Sequence, residues 1–187
     1  LLLALRVAAL VLLAVAFARP YLASTLVGVT GGLTVLAVDR SFSMSGQGRF
    51  DRVRELAVNA VLAENSSREV AVLAFDEGAV LVSEPSLDRQ EALAAIAQLS
   101  TGWGATRYRL ALERAAQVIG DKTGKIIVIT DLQRSGWVAG DHGVVPDRIL
   151  IDVVAIKPPM GNLAVTEIQG GPSSTSASIL NGGPVGR

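Results

Sequence analysis

The chain contains no cysteine and one histidine, His142, in 187 residues. Disulfides, thiol nucleophiles and cysteine-ligated metals are therefore excluded, and a histidine-built metal centre has no second imidazole to draw on. The missing cysteines leave the redox compartment open. Neither sign of charge is in excess, since 17 Lys and Arg balance 17 Asp and Glu. Nucleic-acid binders usually carry a basic surplus, so the bulk charge points to no such partner. Aromatic residues are few, and the 2 tryptophans are Trp103 and Trp137. The length is enough for one domain with a sizeable core plus short extras.

What is present is concentrated in one stretch. An apolar run, Val35 to Val38, ends on Asp39; hydroxyls follow at Ser41 and Ser43, and Ser45-Gly46 turns the chain into an amphipathic segment. Alternate residues of an extended chain point the same way, so this D-x-S-x-S spacing is expected to converge above the end of a buried strand. A carboxylate and two hydroxyls are oxygen ligands, which suit a hard cation such as Mg²⁺.

Leu1 to Ala18 is apolar except for Arg6. A helix needs about 17–25 residues to cross a bilayer, and a basic residue near one end can snorkel to the interface. Arg19-Pro20 stops the run. A cleaved signal peptide competes: Arg6, apolar residues from Val7, and Ala16-Phe17-Ala18 as a small-x-small site. A buried core helix is the third reading, disfavoured by the lack of a polar face. The chain begins on Leu1 and its end reads as a broken-off linker, so a fragment of a longer protein is expected. The expected division is a membrane helix over 1–20, a tether over 21–32, a domain over 33–157, and a linker with the start of a further region over 158–187.

Within the domain, Leu33–Val38 reads as a strand and Phe50–Glu64 as a helix, with apolar residues at steps of three and four. Glu69–Phe75 is a second strand, and Asp76-Glu77-Gly78 a hairpin turn into an antiparallel edge strand, Ala79–Ser83. A helix capped by Ser86 or Asp88 runs to Leu99, and another opens at Thr106 and stops at Gly120. Lys125–Thr130 has the continuous apolar run of a central parallel strand and ends on Asp131. A long loop, 132–147, leads to a strand over Arg148–Ile156. Asn162–Ile168 could add one more, and from Gly170 the Gly/Ser/Pro content reads as linker. Strands alternating with helices predict an α/β fold: a mostly parallel central sheet, helices on both faces and one antiparallel edge strand. Ligand sites of such sheets lie beyond the carboxyl ends of the strands at a topological switch. Asp39 and Asp131 both follow strand ends, and the loop-to-helix junction at Thr106 belongs to the same edge.

These residues resemble the von Willebrand factor A (vWA, integrin I-like) domain, a Rossmann-like fold, and its metal-ion-dependent adhesion site. Asp39, Ser41 and Ser43 match the family D-x-S-x-S. Thr106, in Gly104-Ala105-Thr106, matches the threonine before the third helix, and Asp131, in Ile129-Thr130-Asp131, the aspartate after the fourth strand. The resemblance spans roughly Leu33 to Lys157 and implies that these five residues hold Mg²⁺ (or Mn²⁺ or Ca²⁺). A partner protein's carboxylate would complete the shell with no bond broken, so the implied role is not enzymatic. The family often places Gly after the second aspartate, where this chain has Leu132. The N-terminal run, the Asp-Arg-Ser-x-Ser-Met variant and Asp131 to Trp137 look like the bacterial BatA-type aerotolerance-operon branch. That resemblance implies an inner-membrane protein with a second, preceding helix and its vWA domain on the periplasmic side. It also implies partners among other vWA proteins of the operon and a MoxR-type AAA ATPase, which sits awkwardly with a periplasmic domain.

Arg40, Arg49, Arg107, Arg109 and Arg134 flank the same loops. They are either ordinary surface arginines or a positive collar suited to an acidic ligand. Trp103 and Trp137 also lie in these loops, as contact residues or as braces for their own loops. Trp103, Trp137, Arg40, Arg107 and Arg134 are the candidate partner-binding set. Two other classes remain open: a metal-dependent phosphoryl-transfer hydrolase using Asp39, and a structural domain with an empty site. A serine hydrolase pairing Ser43 with His142 lacks any supporting pattern, and Gly46-Gln47-Gly48 lacks the third glycine of a dinucleotide loop.

Overall fold

A computed structural model describes Arg6 and residues 32–46, 48–138, 145–157, 163–170 and 174–181. At its centre is β1 (Leu33–Asp39), buried at every position. A strand with neighbours on both edges and helices on both faces has no solvent-facing side, which is why its sequence shows no polar alternation. β2 (Glu69–Phe75) and β4 (Gly124–Thr130) flank it, both parallel. β3 (Ala79–Ser86) pairs antiparallel with β2, and β5 (Ile149–Ala155) parallel with β4, giving the order β3-β2-β1-β4-β5. The mostly parallel sheet with one antiparallel edge strand is the predicted one.

Strand alternation sorts the side chains to two faces. Leu36 and Val38 of β1 pack with Phe50, Val53 and Ala57 of α1 (Arg49–Ala63) and with Ile96 of α2 (Arg89–Gln98). Val35 and Ala37 pack on the other side with Tyr108, Ala111 and Ala115 of α3 (Tyr108–Ile119). Asp39 shares parity with Ala37, and Thr130 shares parity with Val128, which also packs on the α3 side. The two polar strand ends are thus sent to one face before any contact is considered. Strand order reverses between β1 and β4, so the loops leaving their carboxyl ends diverge and open a crevice there.

Local details depart from the sequence reading. β3 runs on to Ser86 past a register irregularity opposite Val70–Val72, and carries Pro85 without loss because it is an edge strand. Asp88, not Ser86, caps α2, its side chain accepting from the Gln90 amide at 2.9 Å. α3 starts at Tyr108, and Thr106 does not cap it. The segment assigned to linker contains β7 (Thr175–Asn181), paired antiparallel with β6 (Leu163–Gly170). Its Ser-rich composition hid a strand whose hydrogen bonds come from a partner rather than from local propensity. Among the described residues no helix is long and apolar enough to cross a membrane. The span expected over 1–18 lies outside them apart from Arg6, as does His142.

Candidate metal centre

Asp39 closes β1 and is fully buried. Its Oδ1 accepts a 2.9 Å hydrogen bond from the Ser41 amide, which folds the chain back over the strand end. Phe42–Ser45 then forms a short 3₁₀ turn. The hydroxyls therefore converge through this turn, not along an extended chain as the spacing suggested. Ser41 Oγ lies 3.1 Å from Ser43 Oγ, and Thr106 Oγ1 donates to Ser41 Oγ at 2.9 Å and toward Asp39 Oδ2 at 3.4 Å. Thr106 is held there by the chain before α3, its hydroxyl turned to the site instead of to the helix amides. Four of the five predicted residues, Asp39, Ser41, Ser43 and Thr106, form one connected oxygen cluster.

Asp131 approaches from the other side. Following Thr130, it has the opposite parity and meets α1, where Arg49 Nη2 donates to its Oδ2 at 3.3 Å while Arg49 Nη1 holds the Ser43 carbonyl at 2.8 Å. Gln133 Nε2 also donates to Oδ2, at 3.2 Å. Asp131 Oδ1 is enclosed and has no hydrogen-bond partner. Burial pushes the Asp39 carboxyl above its ordinary 3.8; hydrogen bonds from Ser41 and Thr130 pull back, and the Asp131 charge adds to the rise.

The residues fit a hard divalent cation on two counts. A metal–oxygen distance of about 2.1 Å puts adjacent octahedral ligands about 3 Å apart, and the hydroxyl oxygens already stand 2.9 and 3.1 Å apart. The orphaned Asp131 Oδ1 is a buried acceptor in search of a positive partner, and such atoms are costly to leave alone. Among the described residues no three His, Cys, Asp or Glu side chains cluster, so any such ion depends on hydroxyls and water for much of its shell.

Two participants escaped the sequence reading. Thr130 Oγ1 donates to Asp39 Oδ2 at 2.6 Å and lies 3.1 Å from the Tyr108 hydroxyl. It was visible only as a polar residue closing an apolar run. Arg49 stood in the flanking group, but its contact with Asp131 was not legible. Of the candidate partner residues, Trp103 reaches the cleft beside the hydroxyls, 88% exposed and stacked on Phe42 at 6.0 Å. Trp137 instead packs on Tyr108, ring centroids 5.1 Å apart, and lines an apolar groove between α3 and β5. Arg40 pairs with Asp76 at 3.0 Å, and Arg109 with Glu113 at 2.8 Å. Arg107 lines a separate groove with Arg109 and Glu113, and Arg134 sits exposed in the 3₁₀ turn Arg134–Gly136. The five arginines do not form one collar.

Two solved structures share this chain's fold, BatB and an aerotolerance-related membrane protein, and a third is similar over a shorter span. BatB, a conserved hypothetical protein from Bacteroides thetaiotaomicron, is 18% identical with a TM-score of 0.57, over 81% of this chain and 80% of that one. An aerotolerance-related membrane protein from Bacteroides fragilis is 18% identical with a TM-score of 0.54, over 79% and 81%. The three N-terminal domains of the type V pili tip protein Mfa5 from Porphyromonas gingivalis are 21% identical with a TM-score of 0.44, over 55% of this chain; the chain spans 20% of that structure's length. No curated protein matches the chain in sequence. The profile of the von Willebrand factor type A domain matches residues 34–134, from within β1 to the 3₁₀ turn after Asp131. With that match over more than half of its length, the chain belongs to the von Willebrand factor type A domain family.

Proposed function

We propose that this domain binds a divalent cation, Mg²⁺ or else Mn²⁺ or Ca²⁺, through Asp39, Ser41, Ser43, Thr106 and Asp131. Through that ion it binds a protein partner that offers an acidic side chain. The observation that carries the reading is the hydroxyl cluster at octahedral-edge spacing over a buried carboxylate. When bound, the ion supplies an electrophilic coordination position. The chain's part is to hold three neutral oxygens and two carboxylates, leaving a coordination position for the partner's carboxylate. A non-enzymatic role is supported by Asp39 itself. Both of its oxygens accept hydrogen bonds and it is fully buried, a poor situation for a nucleophile.

The likeness to an aerotolerance-related membrane protein supports, as part of the proposal, association with a membrane. The bacterial inner membrane, residues 1–18 as anchor and the periplasmic side are proposed on the apolar N-terminal run and the BatA-type resemblance alone. Other vWA proteins and a MoxR-type ATPase are proposed partners on the BatA-type resemblance alone. Calorimetry with MgCl₂ on wild type and Asp39→Asn tests the site. Saturable binding in the first and none in the second is expected, and equal heats in both would overturn the ligand assignment. Turnover of phosphate esters lost with Asp39→Asn would favour the hydrolase instead.

A further inference from the structure

Resting on the metal-dependent reading above, we infer that the partner segment carries a basic residue, Arg or Lys, beside its metal-binding carboxylate, and that Phe42, Trp103 and Glu77 receive it. Three loops build this surface. The Arg40 carbonyl accepts from the Gly102 amide at 2.6 Å, and the Phe42 amide donates to the Gly104 carbonyl at 2.9 Å. Those two bonds fix the turn after β1 against the loop before α3, and they set the Phe42 and Trp103 rings 6.0 Å apart and 26° from parallel. Both rings are exposed, Phe42 at 56%. Large aromatic faces turned to solvent beside a ligand site offer stacking and cation–π surface, for which the guanidinium group is the best-suited partner.

The third loop brings the charge. Glu77 follows Asp76 in the β2–β3 turn and lies so close to Gly104 that a Cβ there would stand 2.9 Å from Glu77 Cγ and 3.1 Å from its amide nitrogen. That approach requires glycine, and it sets the Glu77 side chain in the same cleft as Trp103 and the Ser43 and Thr106 hydroxyls. Neighbouring charges have internal partners: Asp76 holds Arg40 at 3.0 Å, and Asp131 holds Arg49 at 3.3 Å. Glu77 has no ion-pair partner among the described residues and is the only charged side chain lining this cleft. The rim beside the candidate cation is therefore acidic and aromatic, the reverse of the positive collar the arginine count suggested. An acidic residue alone satisfies the ion, whereas an adjacent Arg or Lys satisfies the rim.

The experiment uses synthetic peptides with a single Asp followed by Arg, Gln or Glu, a control peptide with Arg and no acid, and Mg²⁺ alone. Binding is read by anisotropy and by Trp103 fluorescence in a Trp137→Phe background. With Mg²⁺ present, Asp-Arg peptides should bind roughly two- to ten-fold tighter than Asp-Gln, the size of one exposed cation–π contact with one exposed ion pair, and Asp-Glu weakest. Glu77→Gln should remove most of this preference and Glu77→Lys reverse it, with Mg²⁺ affinity unchanged; Trp103→Ala should narrow it. The acid-free Arg peptide in EDTA should still perturb Trp103 fluorescence. Equal binding of the three acidic peptides, or a preference that survives Glu77→Gln, overturns the inference while leaving the metal reading standing. Loss of Mg²⁺ binding with a retained response to the acid-free Arg peptide overturns the metal reading and keeps the basic-residue rim. No response to that peptide overturns the rim itself.

Discussion

Thr130, the last residue of β4, donates a 2.6 Å hydrogen bond to Oδ2 of Asp39, the last residue of β1, and both are fully buried. The bond ties together the two strand ends between which the sheet order reverses. Because both groups are buried, Thr130→Val removes the shortest hydrogen bond to Asp39 Oδ2 and leaves the longer contact from Thr106 at 3.4 Å. A loss of about 1–3 kcal/mol in urea unfolding is expected, with weaker Mg²⁺ binding by calorimetry. Thr130→Ser keeps the hydroxyl and should restore both. A Val variant as stable as wild type would show that the bond contributes nothing net.

The raised pKa of Asp39 has a definite sign. Burial raises the folded carboxyl above its ordinary 3.8, so the folded state binds the proton more tightly than the unfolded chain. Asp39 therefore adds stability to the metal-free domain that is complete below pH 3.8 and lost as pH rises through the folded value. Comparing metal-free wild type with Asp39→Asn isolates this from the other carboxylates. The melting temperature of the Asn variant relative to wild type should increase as pH rises from the acid range toward neutrality. Excess Mg²⁺ should reverse that ranking at neutral pH, because the ion binds the ionised form. A difference that does not move with pH would contradict the assignment.

Arg49 is the resident counter-charge of Asp131, whose side chain is only 3% exposed. Arg49→Met leaves that carboxylate without its ion pair, and breaking buried pairs costs about 3–5 kcal/mol. The variant should melt lower than wild type in EDTA and gain more than wild type from added Mg²⁺, since the ion supplies the missing positive charge. Equal Mg²⁺-induced shifts in the two proteins would mean that Arg49 and the cation do not share Asp131.

Leu132 carries a positive φ of 57°, the only such non-glycine among the described residues. An L residue in that region costs about 1–2 kcal/mol. Leu132→Gly removes this strain and adds back roughly 0.5–1 kcal/mol of chain entropy. It should therefore melt at or slightly above wild type, while the β-branched Leu132→Val melts lower. A clear loss in the Gly variant would assign Leu132 a packing role in the apolar groove beside Trp137 that outweighs its strain.

The order of strands and helices from β1 to β5, the burial of β1 and the placement of Asp39, Thr106 and Asp131 at one sheet edge were legible in the chain. They follow from local periodicity: unbroken apolar runs mark central strands, three-and-four spacing marks α1, and strand ends fix where the polar residues emerge. The tertiary structure alone decided how these residues engage one another. Thr130 meets Asp39 across 91 positions because β1 and β4 lie side by side with Val38 opposite Ile129. Ser43 reaches Ser41 through a 3₁₀ turn that alternation did not anticipate. Arg40 and Arg109 are drawn to Asp76 and Glu113, and the Gly102–Gly104 loop places Glu77 beside Trp103, so the rim takes the opposite sign from the arginine tally. Charge pairing and close approach depend on distances between segments far apart in the chain. Residue order fixes a side chain's parity and chemistry, and only the packed register fixes its partner.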